Sequence, residues 1–158
     1  MNTTKRKCYL DFNITKQILE SKRPDIAEIE MTLFENCHLN CSFCHHDKKS
    51  TVGLSREEIF SKIPLVEEHV IKMKNRADVI QINMLGGELF QDRISDWAYE
   101  VYYDFLVEIK KIYDEHKQNI KVVWVTSFQF SKRERVQKLL DDLNAIDIPS
   151  YIICSYDF

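Results

Sequence analysis

Four short apolar runs punctuate the chain, and a stretch of helical periodicity follows each of the first three. The runs are Ala27–Phe34, Asp78–Leu85, Ile120–Val125 and Tyr151–Cys154. The third, IKVVWV, is made of the β-branched and aromatic residues that pack well on a pleated surface. Strand alternating with helix is the order of βα units, whose strands pair in parallel. Each run also passes from apolar to polar or glycine at its C-terminal end: TLFENC, MLGGE, VWVTS and IICSYD. Ligands of parallel sheets and barrels sit at that edge. Four independent runs therefore direct their chemistry to one rim.

The helical stretches carry their own punctuation. One helix is predicted from Ser55 to about Lys74, opened by a Ser55–Glu58 capping box with Leu54 and Ile59 at staple positions. Pro64 falls inside it and predicts a kink or a break. A long helix is predicted over 94–113. Its stripe is Ile94, Trp97, Ala98, Val101, Tyr102, Phe105, Leu106, Ile109 and Tyr113 at three-and-four spacing, a core face rather than a cofactor box. Ser131 and Glu134 form another capping box, opening a helix through about Leu143. A helix near Ile14–Ser21 precedes the first strand.

These elements divide the chain into a lead-in segment, 1–26, and a core, 27–158. The fold class is α/β: a partial parallel (β/α) barrel of about four βα units. A closed barrel takes about 250 residues, and this chain of 158 ends on a strand with no covering helix. The expectation is a fragment of a longer barrel, or a short chain completed by a partner.

The chain is 44% hydrophobic and 30% charged, as soluble globular proteins are. With three glycines and three prolines it has no composition for long disorder. A net charge of −3 gives no electrostatic case for nucleic acid or a membrane surface. No apolar run is long enough to span a bilayer, and the N-terminal MNTTKRKCYLDFN has no apolar signal core. Of five cysteines, Cys37, Cys41 and Cys44 crowd into eight residues, and Cys8 and Cys154 stand apart. An odd, clustered set reads as metal or cluster ligation in a reducing compartment, hence a cytoplasmic location, and not as a disulfide framework.

The clustered stretch reads Cys37-His38-Leu39-Asn40-Cys41-Ser42-Phe43-Cys44-His45-His46. Its spacing, C-x3-C-x2-C, can wrap a cubane cluster with three thiolates on three irons. Electron-transfer clusters mostly use four cysteines. The spacing of Cys8 and Cys154 suggests no fourth ligand. Three ligands leave one iron open, as catalytic metal sites do. A second candidate is Gly86-Gly87-Glu88 at the end of the second run. Two glycines let a backbone approach a ligand closely, and a carboxylate beside them can accept from an ammonium.

With Phe43 before the last cysteine, the cluster motif directly after the first strand resembles the hallmark of the radical S-adenosylmethionine (SAM) superfamily. Gly86-Gly87-Glu88 resembles the family's GGE motif, with Leu89 where a proline is usual. The resemblance runs over roughly Glu28 to Asp157. It implies a 4Fe–4S cluster on Cys37, Cys41 and Cys44 whose open iron chelates SAM through its amino and carboxylate groups. One electron then breaks the S–C5′ bond, giving methionine and a 5′-deoxyadenosyl radical that abstracts hydrogen from a substrate. It further implies SAM contacts at Gly86, Gly87 and Glu88, at Ser127 after the third strand, and at Ser155 and Asp157 after the fourth, with the Phe43 backbone against the adenine. An electron donor such as flavodoxin or ferredoxin is the implied partner. The substrate is not encoded in these motifs; the charge balance leans toward a peptide or protein over RNA.

Plainer readings stand beside these. Cys37, Cys41, Cys44 and His45 or His46 can form a structural zinc site, or the cysteines a vestigial iron–sulfur site, in a non-catalytic binding or structural module. Gly86-Gly87 alone can be a tight turn. His38, His45 and His46 read as loop histidines that at most tune a cluster by bonding its sulfurs. Cys8 and Cys154 read as incidental thiols. Lys48-Lys49 reads as a wet loop.

Overall fold

β1 (Ile26–Thr32), β2 (Val79–Leu85), β3 (Asn119–Thr126) and β4 (Ser150–Cys154) form one sheet, all parallel, in the order β1-β2-β3-β4. The computed structural model describes residues 25–33, 36–39, 41, 42, 44 and 55–154. Cys8, the 14–21 helix, Phe43, His45, His46, Lys48-Lys49, Ser155 and Asp157 lie outside the described residues. The register aligns Met31 with Met84, Met84 with Trp124, and Trp124 with Ile152. Every second residue of the strands thus joins one face. Ala27, Met31, Ile80, Ile82, Met84, Ile120, Val122 and Trp124 are buried there in a single cluster with the helices. The residues between them face away. Glu28 on that side accepts from Gln81 Nε2 (3.4 Å) and Asn83 Nδ2 (3.2 Å).

The helices α1 (Arg56–Phe60), α2 (Ile63–Met73), α3 (Asp96–His116) and α4 (Arg133–Ala145) supply the other half of the core. Pro64 produces the expected break. It begins a new helix at the first turn of α2, where its missing N–H costs nothing. Ser55 Oγ accepts from the Glu58 N–H at 3.1 Å, as the capping pattern predicts.

Two expectations need correcting. Trp97 is not in the core stripe of α3: it is 45% exposed, and Tyr99 is buried instead. The two positions stand about 200° apart around a helix, so only one can face inward. The inward place belongs to Tyr99, which packs on Phe90 (6.1 Å between ring centres) under the Arg135 guanidinium (4.6 Å). Ser131 does not cap α4 with its own side chain; α4 begins at Arg133 after Lys132. An aspartate from another loop instead ties down the two residues before the helix. Asp92 accepts from Ser131 N–H (3.0 Å), Ser131 Oγ (2.8 Å) and Lys132 N–H (3.1 Å).

These bonds, the Ser131 hydroxyl first, hold the Asp92 carboxyl below the usual carboxylate range. A lowered folded value means that the contact stabilises the protein above about pH 4. That contribution disappears as pH falls through the lowered value. Asp92→Asn should therefore lower the melting temperature at neutral pH and leave a shallower acid-side decline. Melting curves of both proteins from neutral pH into the acid range check this.

Candidate functional site

β1 ends beside the end of β2, and Leu33 N–H extends the pairing by donating to Leu85 O at 3.4 Å. The cysteine loop therefore departs from the C-terminal rim of the sheet. Inside it, Leu39 N–H points at Cys37 Sγ (3.4 Å) and Cys44 N–H donates to Cys41 O (3.4 Å). Cys37, Cys41 and Cys44 are all half-buried.

β2 runs into Gly86, whose φ of 144° lies in a region that favours glycine. The next residues turn back into the core. Leu89 and Phe90 are wholly buried. Phe90 packs on Trp124 (5.4 Å), Phe130 (5.6 Å) and Tyr99. Burial pushes the Tyr99 hydroxyl up to about 12, so the ring behind the turn stays neutral. Gly86→Ala should cost about 1–3 kcal/mol through forced backbone strain. Gly87 has no positive φ to lose, and Gly87→Ala should cost less. Urea unfolding of the two variants separates them.

The rim brings the candidate residues together. Cys37, Cys41, Cys44, Gly86, Gly87, Glu88 and Ser127 line one cavity of about 210 Å³, with Leu39, Leu85, Val125 and Thr126 completing its wall. Strand order explains this. β2 is paired with both β1 and β3, so the loop after β1 and the polar end of β3 flank the glycine turn. Cys154 also stands at this edge, in register with Thr126.

Glu88 is 3% exposed, and its carboxylate is taken up by its own chain. Oε1 accepts from Phe90 N–H (3.1 Å) and Thr126 Oγ1 (2.5 Å). Oε2 accepts from Ser127 N–H (2.8 Å) and Ser127 Oγ (2.6 Å). A carboxylate has about four acceptor positions, and four donors occupy them here. The side chain closes the glycine turn onto the end of β3. Ser127, a ligand candidate from sequence, is first a partner of Glu88.

Sequence reasoning missed Gln91. It is 2% exposed and reaches the cysteine loop. Its Nε2 donates to Asn36 O at 3.1 Å, and its Oε1 lies 3.2 Å from His38 Nδ1. A loop glutamine has no periodicity to betray it. The only available signal was its place three residues after Glu88.

Among the described residues, no three His, Cys, Asp or Glu side chains are gathered to hold a single metal ion. Zinc draws its ligands to about 2.0–2.3 Å from one point. A cubane takes each thiolate on a different iron, so its sulfurs surround a volume instead. The three cysteines share one cavity wall, and His45 and His46, either of which would complete a zinc site, lie outside the described residues. A larger cleft, about 640 Å³, lies between α3 and α4; in its wall Arg135 pairs with Asp96 and Lys138 with Asp142, and Asp104 pairs with Arg56. No helix among the described residues is long and apolar enough to cross a membrane. No family model, curated protein or solved structure matches the chain.

Proposed function

We propose that this chain is a radical SAM enzyme domain, with Cys37, Cys41 and Cys44 as the three ligands of a 4Fe–4S cluster. One observation carries the reading: the three cysteines share a cavity with Gly86, Gly87 and Glu88 at the C-terminal rim of a parallel sheet. When bound, such a cluster supplies the electron for reductive cleavage of SAM.

The chain's own residues have separable tasks. Cys37, Cys41 and Cys44 would hold the cluster and would leave one iron without a protein ligand. Gly86 and Gly87 admit the methionine end of SAM without a Cβ in its way. Glu88 shapes that turn through Thr126, Ser127 and Phe90. Leu85 and Val125 supply an apolar wall. Phe43, Ser155 and Asp157 complete the proposed SAM contacts.

Helices packed on one face of an all-parallel sheet support a partial (β/α) barrel wall. Three clustered cysteines read as cluster ligands suit a reducing, cytoplasmic setting, with flavodoxin or ferredoxin as electron donor. The net charge of −3 favours a peptide or protein substrate over RNA.

The test is anaerobic reconstitution with iron and sulfide, then reduction in the presence of SAM. The reading expects a brown protein that releases 5′-deoxyadenosine. A colourless, zinc-containing protein that leaves SAM intact overturns it in favour of a structural module.

A further inference from the structure

We infer that Gln91 is a positioning residue that sets Cys37 against the glycine turn; the inference rests on the radical SAM reading. The carboxamide of Gln91 bonds both neighbours of Cys37. Its Nε2 donates to Asn36 O (3.1 Å), and its Oε1 faces His38 Nδ1 (3.2 Å). An amide oxygen can only accept, so His38 is the donor and carries its proton on Nδ1. Each end of the amide thus meets the group it requires, and the two bonds fix its orientation.

The glutamine is itself anchored on two sides. Its N–H donates to Glu88 O at 3.3 Å, which joins it to the glycine turn. Its carbonyl accepts from the Arg135 guanidinium at 2.8 Å, and Arg135 also holds Ile94 O (2.7 Å) and Asp96 (2.9 Å). A path of hydrogen bonds therefore runs from the flanks of Cys37, through one buried amide, to the turn and to α4. Glu88 carries it on to Thr126 and Ser127.

The consequence follows from a three-ligand site. With no fourth thiolate to fix the cube, its orientation depends on where three loop sulfurs stand. Cys37 comes first after β1, so its placement sets the direction from which the other two approach. A loop held only by chain connectivity would let the open iron wander from the turn. Gln91 removes that freedom at the cost of burying one amide whose bonds are made.

Gln91→Met keeps the size and loses both side-chain bonds. In the apoprotein, amide exchange at Asn36–Leu39 should quicken by about tenfold, the equivalent of one buried hydrogen bond, while the β2 and β3 amides keep their wild-type rates. In the reconstituted protein the iron content should match wild type. The SAM-induced change in the electron paramagnetic resonance spectrum should need about tenfold more SAM. With Gln91 intact, His38→Asn keeps a donor near the Nδ1 position and should retain the wild-type response, which His38→Leu should lose. Wild-type exchange and SAM response in Gln91→Met would overturn the inference, as would equal quickening of exchange at the sheet amides, which would mark a general folding defect. If wild type itself takes up no cluster, the radical SAM reading fails, and the apoprotein exchange still decides whether Gln91 pins the loop.

Discussion

Replacing Cys37, Cys41 or Cys44 by alanine, one at a time, is expected to abolish cluster uptake and bring 5′-deoxyadenosine formation to background. Three ligands leave no reserve. With two cysteines, only two irons of the proposed cluster would keep a protein ligand. The fold should survive. The three side chains are half-buried in a loop beyond the strand ends, outside the aromatic core around Phe90, Trp124 and Tyr102. Each variant should change stability by less than about 1 kcal/mol. Iron analysis, visible absorption and thermal melting make the comparison. Cys154→Ala is the internal control, since its thiol has no role in the proposed ligand set and should leave the iron content unchanged. Full iron content in any of the three loop variants would remove that cysteine from the ligand set.

Glu88→Gln is expected to destabilise the protein by roughly 2–4 kcal/mol, as losing hydrogen bonds to a buried charged group does. The reason lies in how the donors are distributed. Each carboxylate oxygen accepts from one backbone N–H: Oε1 from Phe90 and Oε2 from Ser127. An amide has one oxygen and one NH2 group. Either way round, it opposes two donors at one of the two positions. Turning the amide over cannot relieve the conflict. At about 2–4 °C of melting temperature per kcal/mol for a chain of this size, the loss is easily read by calorimetry. If Glu88 acted chiefly as a ligand for the ammonium of SAM, Glu88→Gln would melt like wild type and only weaken SAM binding. Ser127→Ala and Thr126→Val should each give a part of the Glu88→Gln loss, because each removes one of its partners.

The fold was legible where burial enforces a period. Ile80, Ile82 and Met84 alternate with Gln81 and Asn83 because one face of β2 meets helices and the other does not. Pro64 announced its own helix break by chemistry that no neighbour could override. The candidate site was legible for a related reason. Three clustered cysteines and a glycine pair are unusual residues at unusual spacing, and the βα order puts their loops on one rim.

What was hidden involves choices between comparable side chains and bonds between loops. Trp97 and Tyr99 are both large, both aromatic and both near the start of α3. Only the position of Phe90 and Arg135 selects Tyr99. Ser131 had the right spacing for a capping box, yet its hydroxyl donates to Asp92, which ties down the residues before the helix. Gln91 and Asp92 are adjacent polar residues in one loop, and each finds its partner about forty to fifty residues away. Such pairings follow from tertiary placement, and local sequence carries no trace of them.

The most direct test of a three-thiolate cluster with an open corner is Mössbauer spectroscopy of the reconstituted protein, with and without SAM. The account predicts one iron distinct from the other three, whose signal shifts when SAM is added while the rest stay put. Four equivalent irons that ignore SAM would contradict it.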